Sequence, residues 1–211
     1  MNDIFLNLLV LVSLTLLAGL VFFIVRRSQK AGEKKILELA AEKGWKYESV
    51  REPLLWGFRL VATHWALESI SRSSGQATSP GSSNITMQTV WQANAPGNTL
   101  LIGERTSQVD LGELGERLTR QVLQLALGGD ADDLVEVRAG SEAFRRQYML
   151  WARDPEGFRV SPALESALLN WKGVKPLIKR TSKGLTIEVR GVRLKTADRI
   201  LDLVQLAEIL L

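Results

Sequence analysis

From Ile4 to Val25 the chain runs for 22 positions without a charged side chain, and no other feature limits its architecture as sharply. Wound into a helix at about 1.5 Å per residue, this run extends about 33 Å, enough to cross the hydrocarbon core of a bilayer. A cleavable secretion signal opens on a basic segment, has a shorter apolar core and ends on small residues. Here Met1-Asn2-Asp3 comes first, and Phe22-Phe23-Ile24-Val25 runs straight into Arg26, so the segment reads as a retained anchor. Leu17-Ala18-Gly19 resembles the start of a lipoprotein cleavage box, but position 20 is leucine, and the cysteine that would carry the lipid is missing.

Basic residues close to a membrane segment set its orientation, staying on the cytoplasmic side. Arg26, Arg27, Lys30, Lys34 and Lys35 follow the apolar run and no Lys or Arg precedes it. The expected arrangement is a single pass through a bacterial inner membrane, with the N-terminus outside and residues 26–211 in the cytoplasm. The same five cations can engage anionic headgroups, each contributing about 1 kcal/mol near the surface. They also account for the formal charge of +4: without them and Glu33 the chain is neutral, so the basic balance does not point to nucleic acid. The chain has no cysteine, which excludes disulfides, thiolate catalysis and cysteine-ligated metal sites.

The remainder is patterned for a folded domain. ILELAAEKG, residues 36–44, places Ile36, Leu39, Ala40 and Lys43 on one helical face and ends at Gly44, suited to a left-handed cap. The reading divides the chain into an anchor (1–27), a juxtamembrane helix and linker (28–44) and a domain (45–211). Whether that domain splits into two subdomains near 108–134 is left open. Strands are expected near 45–50, 57–63, 65–71, 85–93 and 99–106. Ala95-Pro96-Gly97-Asn98 reads as a hairpin turn between the last two. SRSSGQATSPGSSN, residues 71–84, reads as a loop.

The spacing of Leu111, Leu114, Leu118, Val122 and Leu125 predicts a helix over 110–127, capped by Asp110 and ended by Gly128-Gly129. Helices are expected at 162–171, capped by Ser161 with Pro162 in the first turn, and at 197–210, capped by Thr196. A hairpin is expected around Ser182-Lys183-Gly184. Strands and helices without regular alternation predict an α+β fold, a largely antiparallel sheet with about three packed helices.

Residues suited to chemistry are few. His64, the one histidine, would need an orienting carboxylate and a nucleophile to act as a general base. Glu68 and the Ser-rich loop are the candidates, against a plain packing or turn role. Asp130, Asp132 and Asp133 bring calcium to mind, but the helix-loop-helix pattern fails because Ser141 stands where its final glutamate should be. A solvated turn is the better reading. No phosphate-binding loop, metalloprotease motif or dinucleotide fingerprint is present. Trp45, Trp56, Trp65, Trp91, Trp151 and Trp171 read as core aromatics rather than a ligand cage. Arg145 and Arg146, beside Tyr148 and Trp151, could stack on bases, yet a basic pair on an exposed strand face is the simpler account.

FRRQYMLWARDPEGFRVSPALESALLN, continuing to KRTSKGLTIEVRG, resembles a bacterial family of membrane-anchored proteins of unknown function. Phe144, Tyr148 four residues on, Asp154, and Pro162 opening a helix with Leu164 and Leu168 carry the likeness, over roughly the last 70 residues. The resemblance implies bacterial origin and an anchored α+β domain, and it supplies no catalytic residue. The chain is therefore expected to be a single-pass membrane protein whose cytoplasmic domain is a non-enzymatic interaction or ligand-binding module. The expected partners are the bilayer, through residues 4–25, and a protein. No cofactor, metal or nucleic acid is expected. The alternatives are a membrane-tethered hydrolase using His64 and a structural subunit of a membrane complex.

Overall fold

Apolar residues recur at every second position along most of the strands, so one face of the resulting sheet must be covered. The computed structural model describes residues 17, 19, 20, 23, 31–75, 84–105, 127, 131 and 133–211. A helix α1 (31–43) leads into β1 (Lys46–Glu52), β2 (Leu55–Val61), β3 (Trp65–Ser73), β4 (Ile85–Ala93) and β5 (Leu100–Glu104). After these come β6 (Val135–Glu136), α2 (Glu142–Gln147), β7 (Tyr148–Ala152), α3 (Pro162–Leu169), β8 (Leu177–Thr181), β9 (Gly184–Arg190) and α4 (Ala197–Leu210). The nine strands form one sheet in the order β1-β2-β3-β4-β9-β8-β5-β7-β6, and every pairing is antiparallel.

A single row of side chains shows how the sheet is held. Leu60, Leu67, Trp91, Ile187, Ile178, Ile102 and Leu150 oppose one another in register across β2, β3, β4, β9, β8, β5 and β7. All are buried, and all share one core cluster with Ile36, Leu39 and Ala40 of α1, Phe144 of α2, Leu164 and Leu168 of α3, and the inner face of α4. Each fully buried aliphatic or aromatic side chain of this kind stabilises the fold by about 1.5–3 kcal/mol. The amphipathic pattern at 36–44 is thus a core helix, not merely a connector. Gly44 ends α1 at φ +69°, and Trp45 N–H closes back on the Ala40 carbonyl at 2.8 Å.

The opposite face carries charge. Arg59 donates to Glu68, its cross-strand partner, and lies 3.9 Å from Glu48. Burial would raise the Glu188 carboxyl, but hydrogen bonds and charge from Lys179 and Arg190 outweigh it and hold Glu188 below the usual carboxylate range.

A small polar cluster on the core face fastens the loop at 191–196. The Ser69 hydroxyl donates to the Leu194 carbonyl at 2.9 Å, the Thr89 hydroxyl donates to the Val192 carbonyl at 3.1 Å, and Leu194 N–H donates to Thr89 Oγ1 at 3.0 Å. Ser69 and Thr89 are fully buried. Thr89→Val keeps the shape but strands the Leu194 N–H and the Val192 carbonyl. Since an unpaired buried polar group costs about 1–3 kcal/mol, Thr89→Val is expected to lose about 2–4 kcal/mol in denaturant unfolding, whereas Thr86→Val on the exposed part of β4 should stay within about 0.5 kcal/mol.

Some expectations need correction. The 95–98 segment does not close a hairpin: β4 pairs with β9, and β5 with β8 and β7. The β8–β9 hairpin inserts between β4 and β5 because its alternating residues match both neighbours. Arg145 and Arg146 are not on a strand but on α2, whose N-cap Ser141 accepts from Phe144 N–H at 3.2 Å. Ser161 caps α3 as expected, accepting from Leu164 N–H at 3.2 Å. Thr196 is the N-cap of α4 but makes no side-chain capping bond; the packing of α4 on the core holds the helix.

The helix expected at 110–127 lies outside the described residues except for Leu127, as do Asp130 and Asp132. The apolar run 4–25 lies outside them except for Leu17, Gly19, Leu20 and Phe23, which are helical. Among the described residues no helix is long and apolar enough to cross a membrane.

Candidate polar cleft at one end of the sheet

The β2–β3 turn, the chain leaving β4 and the β8–β9 hairpin come together at one end of the sheet. Ala62 N–H bonds the Trp65 carbonyl at 2.9 Å and closes the first turn, which carries His64. Lys183 N–H bonds Thr181 Oγ1 at 3.1 Å within the hairpin. Gly184 follows at φ +140°, and a Cβ there would collide with the Ala93 carbonyl oxygen, so only glycine lets the hairpin lie this close to β4.

Between these segments is an open cleft of about 540 Å³. Its polar lining is His64, Gln92, Asn94, Thr181, Lys183 and Thr186, with Ala62, Trp65, Ala66, Ala93 and Gly184 completing it. Trp65 ties this edge of the cleft to the core: its ring lies edge-on to Trp45 at 4.9 Å and tilted against Trp91 at 6.1 Å.

No protein-family model, curated protein or solved structure matches this chain. The cleft has to be read from its own chemistry.

Among the described residues His64 is not brought together with its expected helpers. His64 is exposed, and among the described residues no carboxylate lines the cleft. Glu68 is held by Arg59 Nε at 2.7 Å. Of the nearby serines, Ser69 and Ser71 are buried on the sheet. Ser73 closes the far end of the nine-residue β3, about 27 Å from Trp65, the neighbour of His64, at about 3.4 Å per residue. Ser79, Ser82 and Ser83 lie outside the described residues.

The other candidates are equally scattered. Arg26, Arg27 and Lys30 lie outside the described residues, while Lys34 and Lys35 are exposed on α1. Arg146 is engaged by Glu142 one turn earlier, and Tyr148 is buried with its hydroxyl donating to the Leu168 carbonyl at 2.8 Å, so these residues do not form a base-stacking surface. Asp133 sits in a left-handed turn at φ +68°, and among the described residues no group of three potential metal ligands occurs.

Sequence reasoning passed over Gln92, Asn94, Thr181 and Thr186. The turn around Lys183 was legible, but its placement beside β4 depends on the β4–β9 pairing, which joins residues nearly a hundred positions apart.

At the other end of the sheet, the start of α1 is tied to β1. Tyr47 donates to Glu33 Oε1 at 3.1 Å, and Arg51 Nη2 lies 3.2 Å from the same oxygen. Burial, with the neighbouring Glu33 charge, pushes the Tyr47 phenol up to about 12. An unfolded tyrosine titrates near about 10, so the folded state holds this proton more tightly. The associated stability is complete below about pH 10 and is lost as pH rises through about 12. Tyr47→Phe is expected to flatten the fall in denaturation midpoint between about pH 10 and pH 12; an unchanged slope would place the alkaline sensitivity elsewhere.

Proposed function

We propose that the chain is a single-pass inner-membrane protein of bacterial type, anchored by residues 4–25, with its N-terminus outside and residues 26–211 in the cytoplasm. Its domain acts as a non-enzymatic module that binds a protein partner in the His64 cleft. The anchor reading is supported by the uncharged run 4–25 and by Leu17, Leu20 and Phe23, helical residues whose side chains are 57–62% exposed. The five cations that follow the run support the orientation.

The observation that carries the binding role is the lining of the cleft. Two amides, two threonine hydroxyls and one ammonium line it together with Ala62, Trp65, Ala66 and Ala93. Such polar groups pair with the carbonyls and N–H groups of an extended peptide, and the apolar lining accepts a small apolar side chain. Hydrolysis by His64 is the second reading, favoured by its position in this cleft. It needs an orienting carboxylate, which the described lining residues do not supply.

A photo-crosslinking residue in place of Asn94, in the full chain in native membranes, tests the binding role. A discrete protein adduct weakened several-fold by Lys183→Glu and retained in His64→Ala is the expected result. Adducts at Asn94 no more abundant than at Glu208 on exposed α4 would overturn it.

A further inference from the structure

The end of the sheet opposite the cleft carries a different surface. α1 runs antiparallel to β1: its last turn meets Trp45, whereas Glu33 lies beside Arg51 and a Cβ on Gly32 would be 3.1 Å from the Lys195 carbonyl oxygen. The chain therefore arrives from residue 31 at the end of the sheet where β1 turns into β2. Five residues separate Ala31 from Val25, and the six steps of chain between them, even fully extended, reach only about 22 Å. Whatever path they take, a bilayer holding residues 4–25 begins within that distance of Ala31. The cleft lies at the other end of β3, about 27 Å away along the strand.

This near end has apolar tips. Leu54, in the β1–β2 turn, is 49% exposed and Ile85, opening β4, is 44% exposed. They flank one residue of β3, since Ser73 N–H bonds the Leu54 carbonyl at 2.8 Å and Ser73 pairs in register with Ile85. Arg51 and Arg72 are exposed beside them, and Arg190 and Lys195 are exposed further back. Among the described residues the acidic groups at this end are Glu52, Glu104 and Asp198, which are exposed, Glu33, which faces Arg51, and Glu188, which faces Arg190. Aliphatic tips with exposed Arg51 and Arg72 beside them match the headgroup layer of an anionic membrane, in which apolar side chains enter the interface and cations meet lipid phosphates.

We infer that this end of the domain rests on the bilayer, with Leu54 and Ile85 entering the headgroup layer and Arg51, Arg72, Arg190 and Lys195 meeting anionic phospholipid. The inference rests on the anchor reading. It makes the domain a platform seated on the membrane with its cleft directed toward the cytoplasm.

The chain has no cysteine, so single substitutions give unique labelling sites. A nitroxide is placed at Leu54→Cys, Ile85→Cys, Lys183→Cys or Leu17→Cys in the full chain, one copy per nanodisc of mixed phosphatidylcholine and phosphatidylglycerol. Accessibility to lipid-soluble oxygen and to a water-soluble nickel chelate is then compared. Labels at 54 and 85 are expected to be several-fold better shielded from the chelate than the label at 183. Arg72→Gln with Arg190→Gln, or pure phosphatidylcholine, should remove most of that shielding, each lost cation weakening the contact about fivefold.

Labels at 54 and 85 as water-accessible as the one at 183, with the label at 17 in lipid, would overturn the seating and leave the anchor standing. A label at 17 open to the chelate would overturn both. Shielding unchanged in pure phosphatidylcholine would overturn the assignment to anionic lipid, and shielding that appears only with two copies per disc would assign the surface to a second copy of the chain.

Discussion

Trp91→Ala is expected to cost about 3–5 kcal/mol in denaturant unfolding, the largest loss of any single substitution considered for this domain. Trp91 is fully buried. Leu67 opposes it on one side and Ile187 on the other, and the Trp65 ring lies against it at 6.1 Å. Flanking strands are held by their own hydrogen-bond ladders and cannot close in on the space left behind, so the cavity penalty adds to the lost transfer energy. A domain of this size has only about 5–15 kcal/mol in total, and a fraction of the molecules should be unfolded even without denaturant.

Trp91→Phe separates size from polarity. Trp91 Nε1 is buried with no hydrogen-bond partner among the described residues, so phenylalanine removes an unpaired donor together with part of the ring. Its net cost should stay below about 1.5 kcal/mol. If Trp91→Ala fell within about 1 kcal/mol of the unaltered protein, the seven-strand row would not be the mechanical centre of the fold.

What could be read from the sequence divides along the range of the interactions involved. Local signals were reliable: Ser161-Pro162 marked the start of α3, Ala197–Leu210 showed its stripe, and Ile85–Ala93 was legible as a strand. The α+β class followed from those elements. Strand partners were not legible, because Pro96-Gly97 is a good turn signal whether the strands around it pair with each other or are parted by an inserted hairpin. α2 was hidden for a related reason. Its six residues are followed at once by Tyr148 of β7, so FRRQYMLWA has no break in composition where helix gives way to strand. The cleft was illegible because its residues are unremarkable individually. Asn94 and Lys183 become neighbours only once β9 lies beside β4.

Reversing the charge bias around residues 4–25 is expected to invert the protein in the membrane. The chain for this test carries Arg26→Asn, Arg27→Asn, Lys30→Gln, Lys34→Gln and Lys35→Gln, with Asn2→Lys and Asp3→Lys at the front. Orientation is read by a reporter fused to Leu211, in one version active only in the cytoplasm and in another only outside it. The unaltered chain should give at least about tenfold more cytoplasmic than external signal, and the altered chain should give the reverse, because Lys and Arg within about 15–20 residues of a membrane segment govern which end is retained. The domain itself should tolerate the change. Lys34 and Lys35 are exposed on α1, and the Lys34–Glu38 pair at 3.5 Å is a surface contact of little energetic weight. With no cysteine in the chain, an oxidising compartment cannot trap it by wrong disulfide pairing. An altered chain that kept its reporter in the cytoplasm would show that folding of the domain, and not the flanking charge, decides the topology. An unaltered chain active only outside would turn the cleft away from the cytoplasm and send the search for its partner to the other side of the membrane.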